Sequence, residues 1–370
     1  MRILLTIDSF KGCLSSADAE QAVSQGIKQS LPDAQLLSMP VSDGGEGMLD
    51  AFAAAMQATI VTSDAHDPLM RPITARYGLA PDGTAIIEMA QASGLALLQP
   101  NERNPLIATS FGTGELIADA ISRGCKRMIV GLGGSATVDG GRGMLQALGA
   151  AKGDDVVDLS QSLLADCHVP VTVACDVRNP LLGPDGAATV FGPQKGATPA
   201  MIDELERQME RWADLTAHTV RHDYRNMAGA GAAGGLGFAL LAYMHATMQS
   251  GIDLLMDLLD FDRLLTGCDL VITGEGSADR QTLMGKLPGG ILRRAQAHGI
   301  PTLLIAGRIS DRQALLDAGF ADVHCINPTD SPLSECMRPD IARQRLTDWA
   351  RTLSRPSLTE VFEVVKKLRS

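Results

Sequence analysis

Positive charge is in short supply: Lys+Arg 32 against Asp+Glu 43 leaves a formal net charge of −11 over 370 residues. A nucleic-acid surface needs a basic face, so that partner class is excluded. An anionic substrate has to be captured by a few local cations or helix ends. Aromatic residues make up only 4% of the chain, too few for a platform on which single strands stack. No CxxC pair occurs: Cys13, Cys125, Cys167, Cys175, Cys268, Cys325 and Cys336 are scattered and odd in number, which reads as reduced thiols in a cytoplasmic protein. HExxH is absent, and the histidines show no ligand spacing beyond His218-x-x-x-His222 on a polar helix, so a His/Cys metal centre is not supported. The Walker A signature is missing, since Gly285-Lys286 is followed by Leu287 at the wrong spacing. The protein-kinase signatures are missing as well. The opening MRILLTIDSF turns acidic too soon for a signal peptide. Asn226 to Ile252 carries no Asp, Glu, Lys or Arg, but its glycines and its Tyr243, His245 and Gln249 fit a glycine loop and a buried helix, not a membrane span.

What the chain does contain is apolar runs alternating with helical patterns, over a length that suits two domains. Strands are expected at Ile3–Ile7, Gln35–Val41, Ala85–Met89, Met128–Leu132, Val171–Ala174, Leu270–Thr273 and Thr302–Ala306. Ser15-x-x-Asp18 opens a capped amphipathic helix through Ala19, Ala22, Val23 and Ile27. Further helices are expected at Thr113 to Ile121 and at Met201 to Leu215, the second with Pro199 in its first turn. This alternation predicts an α/β protein with a largely parallel sheet.

Acids fall where such sheets bind ligands. Asp8, Asp43, Glu88, Asp176 and Glu275 each lie at or just past the C-terminal end of an apolar run. Carboxylates converging there need a cation or a proton between them, and an oxygen-ligated Mg²⁺ suits them. Each could instead cap the next helix. The chain has 38 glycines, and four glycine-rich loops stand out: Ser42–Gly47, Gly133–Gly141, Gly229–Gly237 and Thr273–Lys286. Glycine lets the backbone turn its N–H groups onto an anion; four such loops, three with an acid inside, point to a polyphosphate and its metal. Lys11, Lys195 and Lys286 sit in or beside glycine turns and supply the missing charge. Gly229–Gly237 comes closest to a dinucleotide fingerprint, but no clear strand precedes it. Gly133-x-Ser135-x-Thr137 nearly matches a hydrolase elbow, so a serine hydrolase using a later histidine is the rival enzyme class.

The motifs IDSFKGCLS, DGGEG, TSFGTGELI, GLGGSATVDGGRGMLQALGA, ACDVRNPLLGPDGAATVFGPQKGA, GAGAAGGLG and ITGEGSADRQTLMGK occur in one order from Met1 to about Ala306. In that order the chain resembles the bacterial glycerate kinases of the type I family. The resemblance implies ATP- and Mg²⁺-dependent phosphorylation of D-glycerate, with 2-phosphoglycerate the expected product and 3-phosphoglycerate the alternative. It implies two interwoven α/β domains. One is flavodoxin-like with a parallel sheet, placed at residues 1–65 plus 290–370. The other is a mixed-sheet insert likened to restriction endonucleases, placed at 66–289, with the active site in the cleft between them. The partners implied are small molecules only, with no nucleic acid and no membrane, in the cytoplasm; a homo-oligomer is left open. A catalytically dead relative that only binds ligand is the non-enzyme alternative. Val138 stands where the family usually has asparagine, and the stretch 151–168 is short.

Carried onto this chain, the resemblance implies Asp8 or Asp176 as the proton acceptor and Lys195 and Lys286 as catalytic cations. Ser9, Lys11, Asp43, Gly44, Gly45, Glu46, Gly133, Gly134, Ser135, Ala136, Thr137, Asp139, Gln194 and Gly276 are expected to bind substrate or phosphate, and Glu275 and Asp279 to bind the metal.

Overall fold

Each expected apolar run contributes a strand, and among the described residues six further strands form. In chain order the strands are β1 (Arg2–Ile7), β2 (Gln35–Ser38), β3 (Thr59–His66), β4 (Pro72–Leu79), β5 (Thr84–Glu88), β6 (Arg127–Gly131), β7 (Ala151–Lys152), β8 (Val156–Val157), β9 (Val171–Ala174), β10 (Thr247–Gln249), β11 (Leu270–Ala278), β12 (Thr302–Ile309) and β13 (Asp322–Cys325). The computed structural model describes residues 1–10, 12–39, 48–152, 156–165, 167–283 and 286–359. The chain divides into Met1–Asp43 with Leu255–Ser370, and Gly44–Leu254.

These limits differ from the expected 65/66 and 289/290, for two reasons. Helix Met48–Met56 packs on β4 and β5, where its Leu49 N–H donates to Glu88 at 3.3 Å. At the other end, β11 pairs with β1 from Ile3↔Leu270 to Ile7↔Gly274, so it belongs with the chain termini.

The terminal unit holds an all-parallel sheet in the order β13-β12-β11-β1-β2. Numbered within the sheet this is 2-1-3-4-5, the flavodoxin-like order, whose switch point lies between its first and third strands. β1 and β11 are buried on both faces, hence their unbroken runs of apolar residues. The expected helix forms as Ser16–Ser30, with the Ser15 hydroxyl accepting from the Asp18 N–H. Val23 and Ile27 face the core with Ile3, Leu5, Leu270 and Leu346. Helix Pro339–Arg351 crosses it closely at Gly26, where a Cβ would lie 2.3 Å from the Thr347 carbonyl oxygen.

The inserted unit holds a mixed sheet in the order β10-β9-β6-β5-β4-β3, parallel from β10 to β5 and antiparallel from β5 to β3. The charge-free stretch becomes helix Ala232–Met244, buried along its whole length, which explains its apolar sequence. Among the described residues no helix is long and apolar enough to cross a membrane. In the short segment, β7 and β8 pair antiparallel, and Leu159 and Leu164 pack on the core. The β3–β4 hairpin was not foreseen: its residues alternate in exposure and give no apolar run.

Candidate active site

In the terminal unit, the chain leaves β1 at the switch point and places Asp8 there. Asp8 is 3% exposed. Its N–H continues the ladder to the Gly274 carbonyl at 2.9 Å, and its Oδ1 accepts the Ser9 N–H at 2.7 Å. Next to it β11 runs through Gly274, where a Cβ would meet the Ile305 carbonyl oxygen at 2.5 Å, so only glycine lets β12 approach. Glu275 follows, 6% exposed. Its Oε1 accepts from the Thr282 hydroxyl at 2.5 Å and its Oε2 from Lys286 Nζ at 2.9 Å. Burial pushes the Glu275 carboxyl up from its ordinary value, against the pull of Thr282 and Lys286.

Asp8, Ser9, Glu275, Gly276 and Lys286 line one cavity of ≈ 860 Å³, within the range of small-molecule sites. Apolar side chains line it as well, among them Phe10, Ile309, Ile326 and Met337. Asp279 is not among its lining residues; it organises the following turn, where its Oδ1 accepts the Gln281 N–H at 2.7 Å and its N–H donates to Thr282 Oγ1 at 3.0 Å. Among the described residues no three His, Cys, Asp or Glu side chains converge on a metal position. A Mg²⁺ ion that keeps water and phosphate ligands needs only one or two protein carboxylates, and this donor set fits that requirement.

The inserted unit holds the second cluster. Lys195, at the end of the turn Pro193–Lys195, is 2% exposed. Its Nζ donates to Ser135 Oγ and to the Thr137 carbonyl, both at 2.7 Å. Burial holds the ammonium far below its usual value, at about 7, with Asp139 opposing the shift. Gly133 and Gly134 are exposed and Gly134 has φ +72°, so this end of the loop is open to a ligand. The rest is committed inward: the Ala136 N–H donates to the Ser93 carbonyl at 2.9 Å. Thr137 is fully buried, with its hydroxyl 3.5 Å from the Ala233 carbonyl. Asp139 binds its own framework, accepting from the Ser110 N–H and hydroxyl at 2.7 and 2.8 Å and from the Gly141 and Gly143 N–H groups at 3.1 and 3.2 Å. Val138 sits in the apolar core at 2% exposure, so a valine is well housed there.

Of the other expected residues that the structure describes, some are exposed and some serve the fold. Asp176 is exposed beyond β9 and accepts the Gly251 N–H at 3.1 Å, at the start of helix Gly251–Leu258. Gln194 is exposed. The loop Gly229–Gly237 braces the Ser135 loop: the Gly140 N–H donates to the Gly234 carbonyl at 2.9 Å. Lys11, Asp43, Gly44, Gly45 and Glu46 lie outside the described residues. Arg308 and Asn327, which also line the first cavity, were missed. Arg308 stands two residues past the apolar run of β12, so the strand-end rule that selected the acids would have found it. Nothing local marks Ser110 as the partner of Asp139, 29 residues away.

The side chain bonded to Ser135 is a lysine and not the histidine a hydrolase elbow would require. Lysines held at glycine turns, with carboxylates at the switch point of a parallel sheet, equip a protein to move a charged group between anions. The chain is an α/β phosphotransferase. The family model described as the glycerate kinase family matches residues 3–356, and the chain belongs to that family. It is 43% identical to a glycerate kinase of Bacillus subtilis (strain 168) over 90% of this chain and 92% of that protein. It is 42% identical to a glycerate 2-kinase of Escherichia coli (strain K12) over 90% and 91%. A crystal structure from Salmonella typhimurium LT2, named for glycerate kinase 2, superimposes with a TM-score of 0.81 at 38% identity, over 100% of this chain and 98% of that one.

Proposed function

We propose that the enzyme transfers the γ-phosphoryl group of ATP to D-glycerate, giving 2-phosphoglycerate. The observation that carries the site assignment is the convergence of Asp8, Glu275 and Lys286 in one cavity at the switch point. The family and the name of the Escherichia coli relative support the substrate and the position of transfer.

Phosphoryl transfer asks the protein for positioning and charge neutralisation more than for covalent chemistry. Asp8, buried beside the cavity, is the better proton acceptor for the attacking hydroxyl; Asp176 is the weaker, being exposed and engaged with a helix start. Lys286, held on Glu275, offers its charge to the transferring phosphoryl group. Lys195 has three donors, two of them committed to Ser135 and Thr137; it stiffens the exposed Gly133–Gly134 turn and places positive charge behind it. Glu275 would hold Mg²⁺ together with phosphate oxygens and water, and the ion would neutralise charge developing on the phosphates.

The deciding assay is incubation with D-glycerate, ATP and Mg²⁺, with product detected by enolase alone and then with a mutase added. Signal with enolase alone is expected; signal only after the mutase is added means the 3-phosphate. Absence of ADP release in both assays contradicts the reading altogether. Asp8→Asn should lower kcat on the order of 10²–10⁴-fold, while Asp176→Asn should change it by less than roughly tenfold. The reverse order would exchange the two roles.

A further inference from the structure

β1 outruns its neighbour on one side. The β1–β2 pairing ends at Leu5↔Ser38, and the ladder on that side closes, among the described residues, with Met39 N–H donating to the Leu5 carbonyl. Ile7, the residue that delivers Asp8, lies beyond it. Helix Ser16–Ser30 supplies both bonds that a strand would have made there. The Ile7 N–H donates to Glu20 Oε1 at 3.1 Å, and the Ser16 hydroxyl donates to the Ile7 carbonyl.

Glu20 is 1% exposed, and besides the bond from Ile7 its carboxyl interacts with Ser38 and Met39 at the end of β2. A carboxyl group so placed is costly to bury. Burial, only partly opposed by hydrogen bonding from Ile7, Ser38 and Met39, pushes its pKa up to about 8, so at neutral pH it is mostly an uncharged acid. An apolar side chain would fill the same space without that cost. What it could not do is accept the Ile7 N–H.

We propose that Glu20 is a positioning residue for Asp8: with Ser16 it takes up both backbone bonds of Ile7 at the end of β1 and fixes the direction in which Asp8 enters the cavity. The proposal rests on the reading of Asp8 as proton acceptor. It is tested by measuring kcat and both KM values for Glu20→Met, Glu20→Gln, Ser16→Ala, Asp8→Asn and the Asp8→Asn/Glu20→Met double variant, with folding checked by circular dichroism. Glu20→Met should lower kcat roughly tenfold or more, the scale of a small misplacement of a reacting group, with KM values nearly unchanged. Glu20→Gln, which keeps an acceptor oxygen, should restore turnover, and Ser16→Ala should reproduce a milder kcat defect. In the Asp8→Asn background Glu20→Met should cost nothing further. Full kcat in both Glu20→Met and Ser16→Ala overturns the proposal, as does a Gln variant as slow as the Met variant. Should Glu20→Met fail to fold, the Gln and Ser16→Ala results decide alone. An inactive Asp8→Asn beside fully active Glu20 and Ser16 variants sinks only the positioning role. An active Asp8→Asn sinks the active-site reading and this proposal with it.

Discussion

At the scale of single residues, two buried ionisable groups make opposite demands on pH. Lys195 is held at about 7 by burial, so near pH 8 it is mostly neutral until an anion arrives to favour its charged form. Binding of ADP with Mg²⁺ should then take up a proton, and affinity should fall as pH rises through about 7. Calorimetric titration in two buffers of different ionisation enthalpy measures this. Equal heats, or an unchanged difference in Lys195→Met, would count against Lys195 as a ligand-facing cation. Replacing Lys195 or Lys286 by alanine should each lower kcat on the order of 10²–10³-fold; near-normal turnover in both variants contradicts the assignment of cations. Glu20 behaves inversely. Its folded pKa, about 8, exceeds the ordinary value of 4.5, so between those two values the unfolded chain has released a proton that the native protein keeps. Its contribution is therefore fully present below about 4.5, is lost as pH rises towards 8, and changes no further above that. The melting temperature of Glu20→Gln relative to the native protein should accordingly rise from about pH 5 to about pH 8. A constant difference across that range would show that Glu20 is not neutral in the fold.

Among the elements, the tightest joint is the one between two glycine-rich loops. Gly234 has φ +65°, and a Cβ there would lie 1.8 Å from the Thr137 carbonyl oxygen, the same oxygen that accepts from Lys195. Gly234→Ala should therefore cost about 3 kcal/mol or more, read as a drop in denaturant midpoint, and should impair turnover in whatever fraction remains folded. A neutral Gly234→Ala would mean that the two loops yield easily. This joint also shows where sequence reading stops. A glycine needed for close packing and a glycine needed to approach a phosphate leave the same mark, so Gly229–Gly237 reads as a cradle and turns out to be a brace. β1, β6, β11 and β12 are legible because strands covered on both faces must be continuously apolar; β3 and β4, whose exposure alternates, are not. The bond between Glu275 and Lys286 is foreseeable, because eleven residues of one loop separate them. The bond between Ser135 and Lys195 spans 60 residues and depends on tertiary packing that no local pattern encodes. Glu20 is hidden for a related reason: on a helix beginning with Ser15 and Asp18 it looks like one more surface acid.

In the whole molecule, each core is built from its own stretch of chain. The core around Tyr77, Leu116, Val173, Trp212 and Phe238 draws only on the inserted unit, and the core around Ile3, Val23, Ile272 and Leu346 only on the two terminal segments. A fragment of residues 48–254 should therefore fold alone, with a cooperative thermal transition and dispersed amide resonances, whereas residues 1–39 alone should stay unfolded. An unfolded 48–254 fragment would show that its core depends on the rest of the chain. The same division sets a timetable for synthesis. β1 leaves the ribosome first, yet its partner β11 lies roughly 260 residues later, which at about 5–20 residues per second is a delay on the order of 13–50 s. For that interval β1 has β2 and helix Ser16–Ser30 beside it, but the apolar edge that will take β11 stays open while the insert folds behind it. The segment that holds Asp8 is thus open to capture by chaperones throughout that interval, and takes its place in the site only once β11 arrives.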